Sequence, residues 1–193
     1  HFIYPLGNTV VIRNISSNKQ SFLSEHRNNI SCLTVSPSGK YIASGQLNYM
    51  GFKADTILWD YENLKEIGRH TIHKVTVEAV AFSCDEKYLV SLGGEDDGSL
   101  VVYDMEKREP LCGFPASYGI AGTPNILAFT RTKPDILVLA GTNTFRLWKL
   151  HPKRRRIIPS NANMGHIHRD ILCIEVRVNV LKVNNRTVSA DRK

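Results

Sequence analysis

The sequence of 193 residues lacks the features that mark membrane and secreted proteins. No stretch approaches the roughly 20 consecutive apolar residues of a membrane span. The N-terminus has no charged segment followed by an apolar one, as a signal peptide would. The four cysteines include no C-x-x-C pair, so neither a zinc ribbon nor a redox motif is supported. We therefore expect a protein of the cell interior, with reduced thiols and no membrane partner.

The composition is that of a folded domain, with 42% hydrophobic and 22% charged residues. A net charge of +7 favours acidic partners, which include nucleic acid, anionic lipid and acidic protein surfaces. The sign of the charge does not choose among them. Because the chain begins at His1 rather than at a methionine, we expect it to be part of something longer.

Apolar residues recur every 47 positions along the chain. In each copy, two large apolar residues are separated by one residue, so both lie on the same face of an extended strand. This spacing predicts one half-buried β-strand in each copy. The paired positions are Leu33 and Val35, Val80 and Phe82, Leu127 and Phe129, and Ile174 and Val176.

Each copy continues with turn residues and further strands. Turn chemistry stands at residues 36–40 and 83–87, and second strands are predicted at 41–44 and 88–92. Third strands are predicted at 9–14, 56–60, 99–104 and 144–149, and no helix is predicted anywhere. The units are therefore all-β sheets of about four strands that need neighbours to cover their faces. Their boundaries fall near 1–23, 24–70, 71–115 and 116–160, with the start of another unit up to 176.

Residue pairs around these strands resemble the signature of the WD-repeat β-propeller family. Glu25-His26 and Ile72-His73 stand where that family has Gly-His, and aspartate follows an aromatic residue at Trp59 and at Tyr103. The resemblance implies an all-β, partial WD-repeat β-propeller of about four blades, each of four antiparallel strands. Roughly four units are fewer than a closed ring usually has, so we expect uncovered strand edges.

The resemblance also implies a structural tetrad of histidine, serine or threonine, aspartate and an aromatic residue. The full set is His73, Ser91, Asp97 and Tyr103. In the preceding copy the matching residues are His26, Ser44 and Trp59. Lys53 stands at the expected aspartate position there, so we expect that network to be weaker.

Three segments, at 38–46, 50–55 and 88–99, resemble a narrower group, the WD-repeat proteins that line the lumen of axonemal doublet microtubules in motile cilia and flagella. The similarity extends over residues 2–176, and the unusual linker at 46–54 carries most of its specificity. It implies a longer chain with two joined propellers. It also implies a place in the cytoplasm, in the cytoskeleton and in the axoneme of a cilium or flagellum, with tubulin and neighbouring axonemal luminal proteins as partners.

Candidate chemistry is weak throughout the chain. The residues His73, Ser91 and Asp97 match a hydrolase triad by type, but no nucleophile elbow or oxyanion hole accompanies them. Residues 93–98 are predicted to be a strand-connecting turn, since no helix follows that would complete a phosphate site. His166 and His168 fit a divergent blade turn better than a metal site. We predict no catalytic residue, cofactor, metal or small-molecule substrate.

Two surface features are candidate partner contacts. The run Lys153, Arg154, Arg155 and Arg156 is either a solvated loop or a contact for an acidic surface such as tubulin. Nucleic acid is disfavoured, because no aromatic residues are interleaved with the run. The linker at 46–54 carries Tyr49, Met50 and Phe52 beside Lys53, and these residues either pack on a neighbouring blade or contact a partner.

The end of the chain departs from the repeat. Residues 179–183 look like a third strand directly after 176, which predicts a missing segment between about 176 and 179 and an irregular or discontinuous tail at 177–193. Two functions remain open. The first is a non-enzymatic scaffold that binds axonemal doublet microtubules from the lumen and stabilises motile cilia or flagella. The second is a general cytoplasmic adaptor for protein complexes, for example in ubiquitin ligation or signalling; an enzyme is the least favoured class.

Overall fold

A computed structural model describes residues 1–117, 122–162 and 169–176, together with the backbone of 181–187. These residues form 17 β-strands and one short 3-10 helix, Pro152–Arg154. The strands are β1 Phe2–Leu6, β2 Thr9–Arg13, β3 Gln20–Leu23, β4 Ile30–Val35, β5 Tyr41–Gln46, β6 Lys53–Asp60, β7 Lys65–Lys74, β8 Val77–Phe82, β9 Tyr88–Gly93, β10 Ser99–Asp104, β11 Glu109–Pro115, β12 Thr123–Phe129, β13 Ile136–Thr142, β14 Thr144–His151, β15 Arg156–Asn161, β16 Arg169–Val176 and β17 Leu181–Thr187.

The strands form four antiparallel sheets, in which consecutive strands pair with each other, except that β16 pairs with β13. The first sheet holds β1 to β3, the second β4 to β7 and the third β8 to β11. The fourth holds β12 to β15 and is joined to β16 and β17 through the pair Thr142 and Asp170. The predicted all-β propeller fold is confirmed, and the sheets are its blades. Within the described ranges, no helix has the length and apolarity needed to cross a membrane.

The 47-residue repeat marks the first strand of each copy: its apolar pairs lie on β4, β8, β12 and β16. In β8 and β12 both members of the pair are buried. Val35 on β4 is 41% exposed instead. The sheet in front of β4 has three strands rather than four, so less of the face of β4 is covered.

The outermost strands β7, β11 and β15 were not located by the sequence pattern. Their residues are mostly exposed or half-buried, without the strict apolar and polar alternation of a strand with one buried face. β7 extends to Lys74. His73 therefore belongs to the second sheet, whereas the sequence repeat assigned it to the third unit, at 71–115.

The hydrophobic core is divided into three clusters, each of which lies between two adjacent sheets. Between the first and second sheets, Val10 and Ile12 pack with Ile42 and Trp59. Between the second and third sheets, Leu58 and Tyr103 belong to one cluster of buried residues. A third cluster joins the third and fourth sheets around Trp148, Leu100 and Leu139. Each sheet is thus stabilised by burial against its neighbours, as repeat architectures require.

The last two strands differ from the prediction. β17 pairs directly with β16, with Val176 opposite Leu181, and so takes the place of a second strand rather than a third. Alternating apolar and polar residues are common to both kinds of strand, so the pattern could not separate them. Arg186 lies on β17, opposite Asp170, and is not irregular. The hypothesised missing segment falls within residues 177–180, and the end of the tail falls at 188–193, both outside the described residues.

Candidate functional site

A buried hydrogen-bond network joins the second and third sheets. The ring of His73, on β7, donates from Nδ1 to Asp97 Oδ2 at 2.7 Å. The Ser91 hydroxyl, on β9, donates to His73 Nε2 at 2.6 Å. The Ser99 hydroxyl donates to the same Asp97 oxygen. Because His73 comes from one sheet and its partners come from the next, the network fixes the two sheets relative to each other.

The electrostatics of this network favour a neutral histidine beside a charged carboxylate. Burial lowers the pKa of His73, although Asp97 opposes the shift. Burial alone would raise the pKa of Asp97, but hydrogen bonds from Ser99 and His73 outweigh it and lower that pKa. The hydroxyl of Tyr103 is buried beside Ser91, and burial raises its pKa to about 12. The ring of Tyr103 stacks on His70, with ring centroids 4.0 Å apart.

The second sheet holds a related network around His26. Ser44 Oγ lies 2.7 Å from His26 Nε2 and accepts a hydrogen bond from Trp59 Nε1 at 2.8 Å. The other ring nitrogen, Nδ1, lies 3.2 Å from Oε1 of Gln46. Burial lowers the pKa of His26. Its partners are all uncharged, so the network contains no ion.

The sequence did not predict the role of Gln46. Lys53 stands at the aspartate position but is exposed at the start of β6, and Gln46, which is 1% exposed, contacts the histidine in its place. Pairing registers put Gln46 at the position of Gly93 in the third sheet, because each lies two residues after the network serine. A Cβ added at Gly93 would collide with Asp97 and come within 2.7 Å of His73 Nδ1. The space beside the histidine Nδ1 is therefore filled by Gln46 in the second sheet and by Asp97 in the third.

The fourth sheet lacks the serine of this network. Leu139 pairs with Arg146, two residues before Trp148 on β14, in the register that places Ser44 relative to Trp59. Within the described part of the chain, Nε1 of Trp148 is buried and has no hydrogen-bond partner. Among the described residues, Trp148 is held by apolar packing in the cluster between the third and fourth sheets.

The chain Asp97, His73 and Ser91 has the hydrogen-bond order of a hydrolase triad. However, both His73 and Ser91 are 0% exposed. A substrate carbonyl has no route to Ser91 Oγ, whereas nucleophilic catalysis needs the reacting atoms within about 3–3.5 Å. The arrangement instead satisfies buried polar groups, which is what a structural network does.

The loop between β5 and β6 places apolar side chains in solvent. Tyr49 is 74% exposed, Met50 75% and Phe52 64%. All three side chains are thus mostly exposed, and the loop reaches the turn before β8. With Lys74 and Val75, the loop residues Met50 and Phe52 line a surface cavity of about 410 Å³.

The base of this loop is held by backbone hydrogen bonds. Asn48 N donates to Val75 O at 2.6 Å, and Val75 N donates to Phe52 O at 2.9 Å. The Asn48 side chain donates to Lys53 O at 2.8 Å. Val75 has φ of 59°, which is strained for a β-branched residue and costs about 1–3 kcal/mol. The loop therefore presents Tyr49, Met50 and Phe52 on a fixed backbone.

All four residues of the basic run are exposed, and one of them also binds the neighbouring sheet. Arg155, at φ of 49°, donates to Leu111 O at 3.1 Å and to Pro110 O at 3.3 Å, both on β11. Lys153, Arg154 and Arg156 are exposed, and none of them forms an ion pair with a described residue. Arg155 thus links the third and fourth sheets at the surface, and the side chains of the other three cations form no such hydrogen bond to a described residue.

The remaining candidates are turns. Residues 94–98 form a tight connection in which Gly98 N donates to Gly94 O at 2.7 Å, so the segment delivers Asp97 to the network. His166 and His168 lie outside the described residues.

Comparison with known proteins gives consistent results. The family model for the WD domain, G-beta repeat, matches residues 17–51 and 64–104. Cilia- and flagella-associated protein 52 of Homo sapiens is 47% identical over 176 residues, which cover 91% of this chain and 28% of the relative. The protein of the same name from Chlamydomonas reinhardtii is 40% identical over 178 residues, covering 92% of this chain and 28% of the relative. The chain thus spans about 28% of the length of these curated relatives.

The fold is also found among solved structures. A chain in the crystal structure of the mitotic checkpoint complex superposes with a TM-score of 0.76 over 94% of this chain and 55% of that one. The sequences are 15% identical, so this likeness supports the architecture alone.

Proposed function

The chain belongs to the WD-repeat β-propeller family, and from this premise we propose that it is a non-enzymatic scaffold of motile cilia and flagella that binds axonemal doublet microtubules from the lumen. The proposal places it in the axoneme, with tubulin and neighbouring luminal proteins as partners. It draws on similarity to a ciliary and flagellar protein present in both a mammal and an alga.

The observation that carries the proposal is the loop between β5 and β6. Leaving three large apolar side chains in water is unfavourable, and contiguous exposed apolar surface marks interaction sites. The loop backbone is fixed by Asn48 and Val75, so little conformational entropy is lost when a partner binds. Tyr49, Met50 and Phe52 are suited to insertion into a pocket of a partner, because aromatic residues and methionine are enriched in interface cores.

The proposed mechanism is passive attachment. Rigid sheets hold loops in place, and many modest contacts add up to stable binding. Lys53 beside the loop and the exposed Lys153, Arg154 and Arg156 supply positive charge for an acidic surface such as tubulin. The buried networks around His26 and His73 keep the sheets rigid and do no chemistry.

The test is retention of the tagged chain in doublet microtubules. We expect the wild-type chain, expressed in cells with motile cilia, to stay with the doublets after salt extraction. We expect Tyr49→Ser with Phe52→Ser to move it to the soluble fraction, because the apolar contacts are lost. The matched control is Phe22→Ser on β3, which removes an aromatic residue of similar exposure, 57%, elsewhere.

Two results would contradict the proposal. The first is equal retention of the loop variant and the control. The second is a diffuse wild-type protein that does not enter cilia, which would favour the general cytoplasmic adaptor instead.

A further inference from the structure

We propose that a groove between β11 and β15 binds an acidic peptide segment that carries one bulky apolar side chain. These two strands are the outer edges of the third and fourth sheets. Between them lies a surface cavity of about 520 Å³, lined by Gly113 and Phe114 on one side and by residues 155–159 on the other. The inference rests on the proposed function in one respect: it specifies the chemistry of the contact made by the basic run.

The floor of the groove is apolar and rigid. Its apolar surface comes from Phe114 on β11, which is 40% exposed, and from Ile158 on β15, which is 50% exposed. The ring of Phe114 packs edge-on against Trp148, with ring centroids 5.3 Å apart and planes at 71°. Because Trp148 is fully buried in the core between the two sheets, it holds Phe114 in place. The floor therefore has space for one apolar side chain on a preformed surface.

The rim of the groove is basic. Arg155 lines it while its guanidinium is fixed to Leu111 O and Pro110 O. Arg156 lines it as well, and Lys153 and Arg154 lie in the adjoining 3-10 helix. None of these four cations is in an ion pair with a residue that the structure describes. Positive charge beside apolar surface is complementary to carboxylates that flank an apolar side chain.

The edges of the groove are poorly suited to pairing with another strand. β11 contains Pro110 and Pro115, and β15 contains Pro159. Proline has no N–H to donate, and it is a common way to protect an exposed sheet edge. A partner is therefore recognised by its side chains rather than by adding a strand.

Nucleic acid fits this site less well than a peptide. Binding of single strands depends on several aromatic faces on which successive bases stack. The groove offers one aromatic residue, Phe114, whose ring already packs on Trp148. A single apolar position between cations suits one anchor side chain with acidic neighbours.

The experiment is fluorescence anisotropy with the 193-residue chain and a short fluorescein-labelled peptide of glutamates around one central phenylalanine. We expect this peptide to bind and an all-glutamate peptide of equal length to bind at least about tenfold more weakly, a loss of ~1.4 kcal/mol. Ile158→Ser, and separately Arg154→Glu with Arg156→Glu, should each weaken binding by a similar factor. Binding should also weaken as salt is raised.

Matched controls separate the site from general charge and hydrophobicity. Arg131→Glu with Lys133→Glu makes the same charge change in an exposed turn, and Phe22→Ser removes exposed apolar surface from β3. Both should leave binding unchanged. Equal binding of the two peptides, equal weakening by the controls, or tighter binding of an oligothymidine would overturn the proposal. Since this assay uses the isolated chain, its failure leaves the result of the doublet-retention test unaffected.

Discussion

The second and third sheets solve the same structural problem in different ways. In the third, a charged Asp97 reaches His73 from the turn before β10, and Gly93 leaves room for it. In the second, Gln46 at the position of Gly93 contacts His26 from its own strand. The turn between β5 and β6 therefore supplies no residue to the network. It is longer, and it presents Tyr49 and other apolar residues to solvent.

A repeat can therefore carry an exposed apolar loop and still keep a buried histidine network. A tight turn at 94–98 is needed wherever the turn must supply the aspartate. In the second sheet the histidine has its partner on β5, so the turn need not supply one, and Lys53 at the aspartate position lies on the surface. The neutral network and the exposed loop thus occur together in the second sheet.

The largest expected effect comes from removing the two histidines. His73→Ala leaves the Asp97 carboxylate with the Ser99 hydroxyl but without its histidine donor, so we expect a loss of ~3 kcal/mol in the free energy of unfolding. His26→Ala leaves neutral groups unpaired, with an expected loss of ~2 kcal/mol. Urea denaturation of the 193-residue chain measures both. Equal losses would show that the charge of Asp97 does not distinguish the two sheets.

A smaller effect tests whether the two solutions are equivalent. Gly93→Gln places a side chain where Asp97 and His73 already lie, and overpacking of this kind costs ~1–3 kcal/mol. Adding Asp97→Gly removes the collision with the Asp97 side chain, and a small shift of the His73 ring then lets the new glutamine contact it as Gln46 contacts His26. We expect the double variant to regain about half of the lost stability. A double variant less stable than Gly93→Gln would contradict the statement that Gln46 and Asp97 occupy equivalent positions beside the histidine.

The pH dependence of stability should report both histidines. Their pKa values are lowered by burial, so below the unfolded value of 6.5 the unfolded chain binds more protons than the folded one. Their contribution is therefore present above pH 6.5 and is lost as pH falls, by up to ~1.4 kcal/mol per pH unit for each. The pKa of Asp97 is lowered from 3.8, so its contribution is lost at still lower pH.

Urea midpoints at pH values between 7.5 and 5 measure this slope. His26→Gln and His73→Gln should each flatten it, because each removes one titrating group. A slope that neither variant changes would assign the pH dependence to other groups, among them His70, whose pKa is also lowered by burial.

The smallest expected effect on stability is that of the loop side chains. Tyr49→Ser with Phe52→Ser should change the free energy of unfolding by less than ~0.5 kcal/mol, because both side chains are mostly exposed. Thermal denaturation beside Phe22→Ser provides the comparison. A large loss would mean that the loop packs on the sheets and is not a free surface.

The sequence predicted the first three strands of the second and third sheets, because buried strands leave a clear apolar period, as Leu33 and Val80 show. In the fourth sheet it located β12 and β14 but not β13, and in the first sheet it located β2 alone. It did not locate β7, β11 and β15, which are half-exposed and carry charges among apolar residues. It grouped His73, Ser91 and Asp97 through their family positions. It missed Gln46, because the contact with His26 depends on the cross-strand register that aligns Gln46 with Gly93.

The orientation of the loop was open from the sequence for a similar reason. Its side chains stay in solvent because backbone bonds to Val75 fix the base, and a bond between distant backbone atoms leaves no trace in residue type. The division of the basic run was also hidden: Arg155 and its neighbours are alike in sequence, and the left-handed backbone of Arg155 alone turns it toward β11.

Photocrosslinking tests directly whether a partner covers the loop between β5 and β6. A photoreactive phenylalanine analogue replaces Phe52 in the chain carried by motile axonemes, and the same analogue replaces Phe22 in a control. We predict crosslinks to tubulin or to a neighbouring luminal protein from position 52 and few from position 22. Position 52 giving no more crosslinks than position 22 would contradict the account.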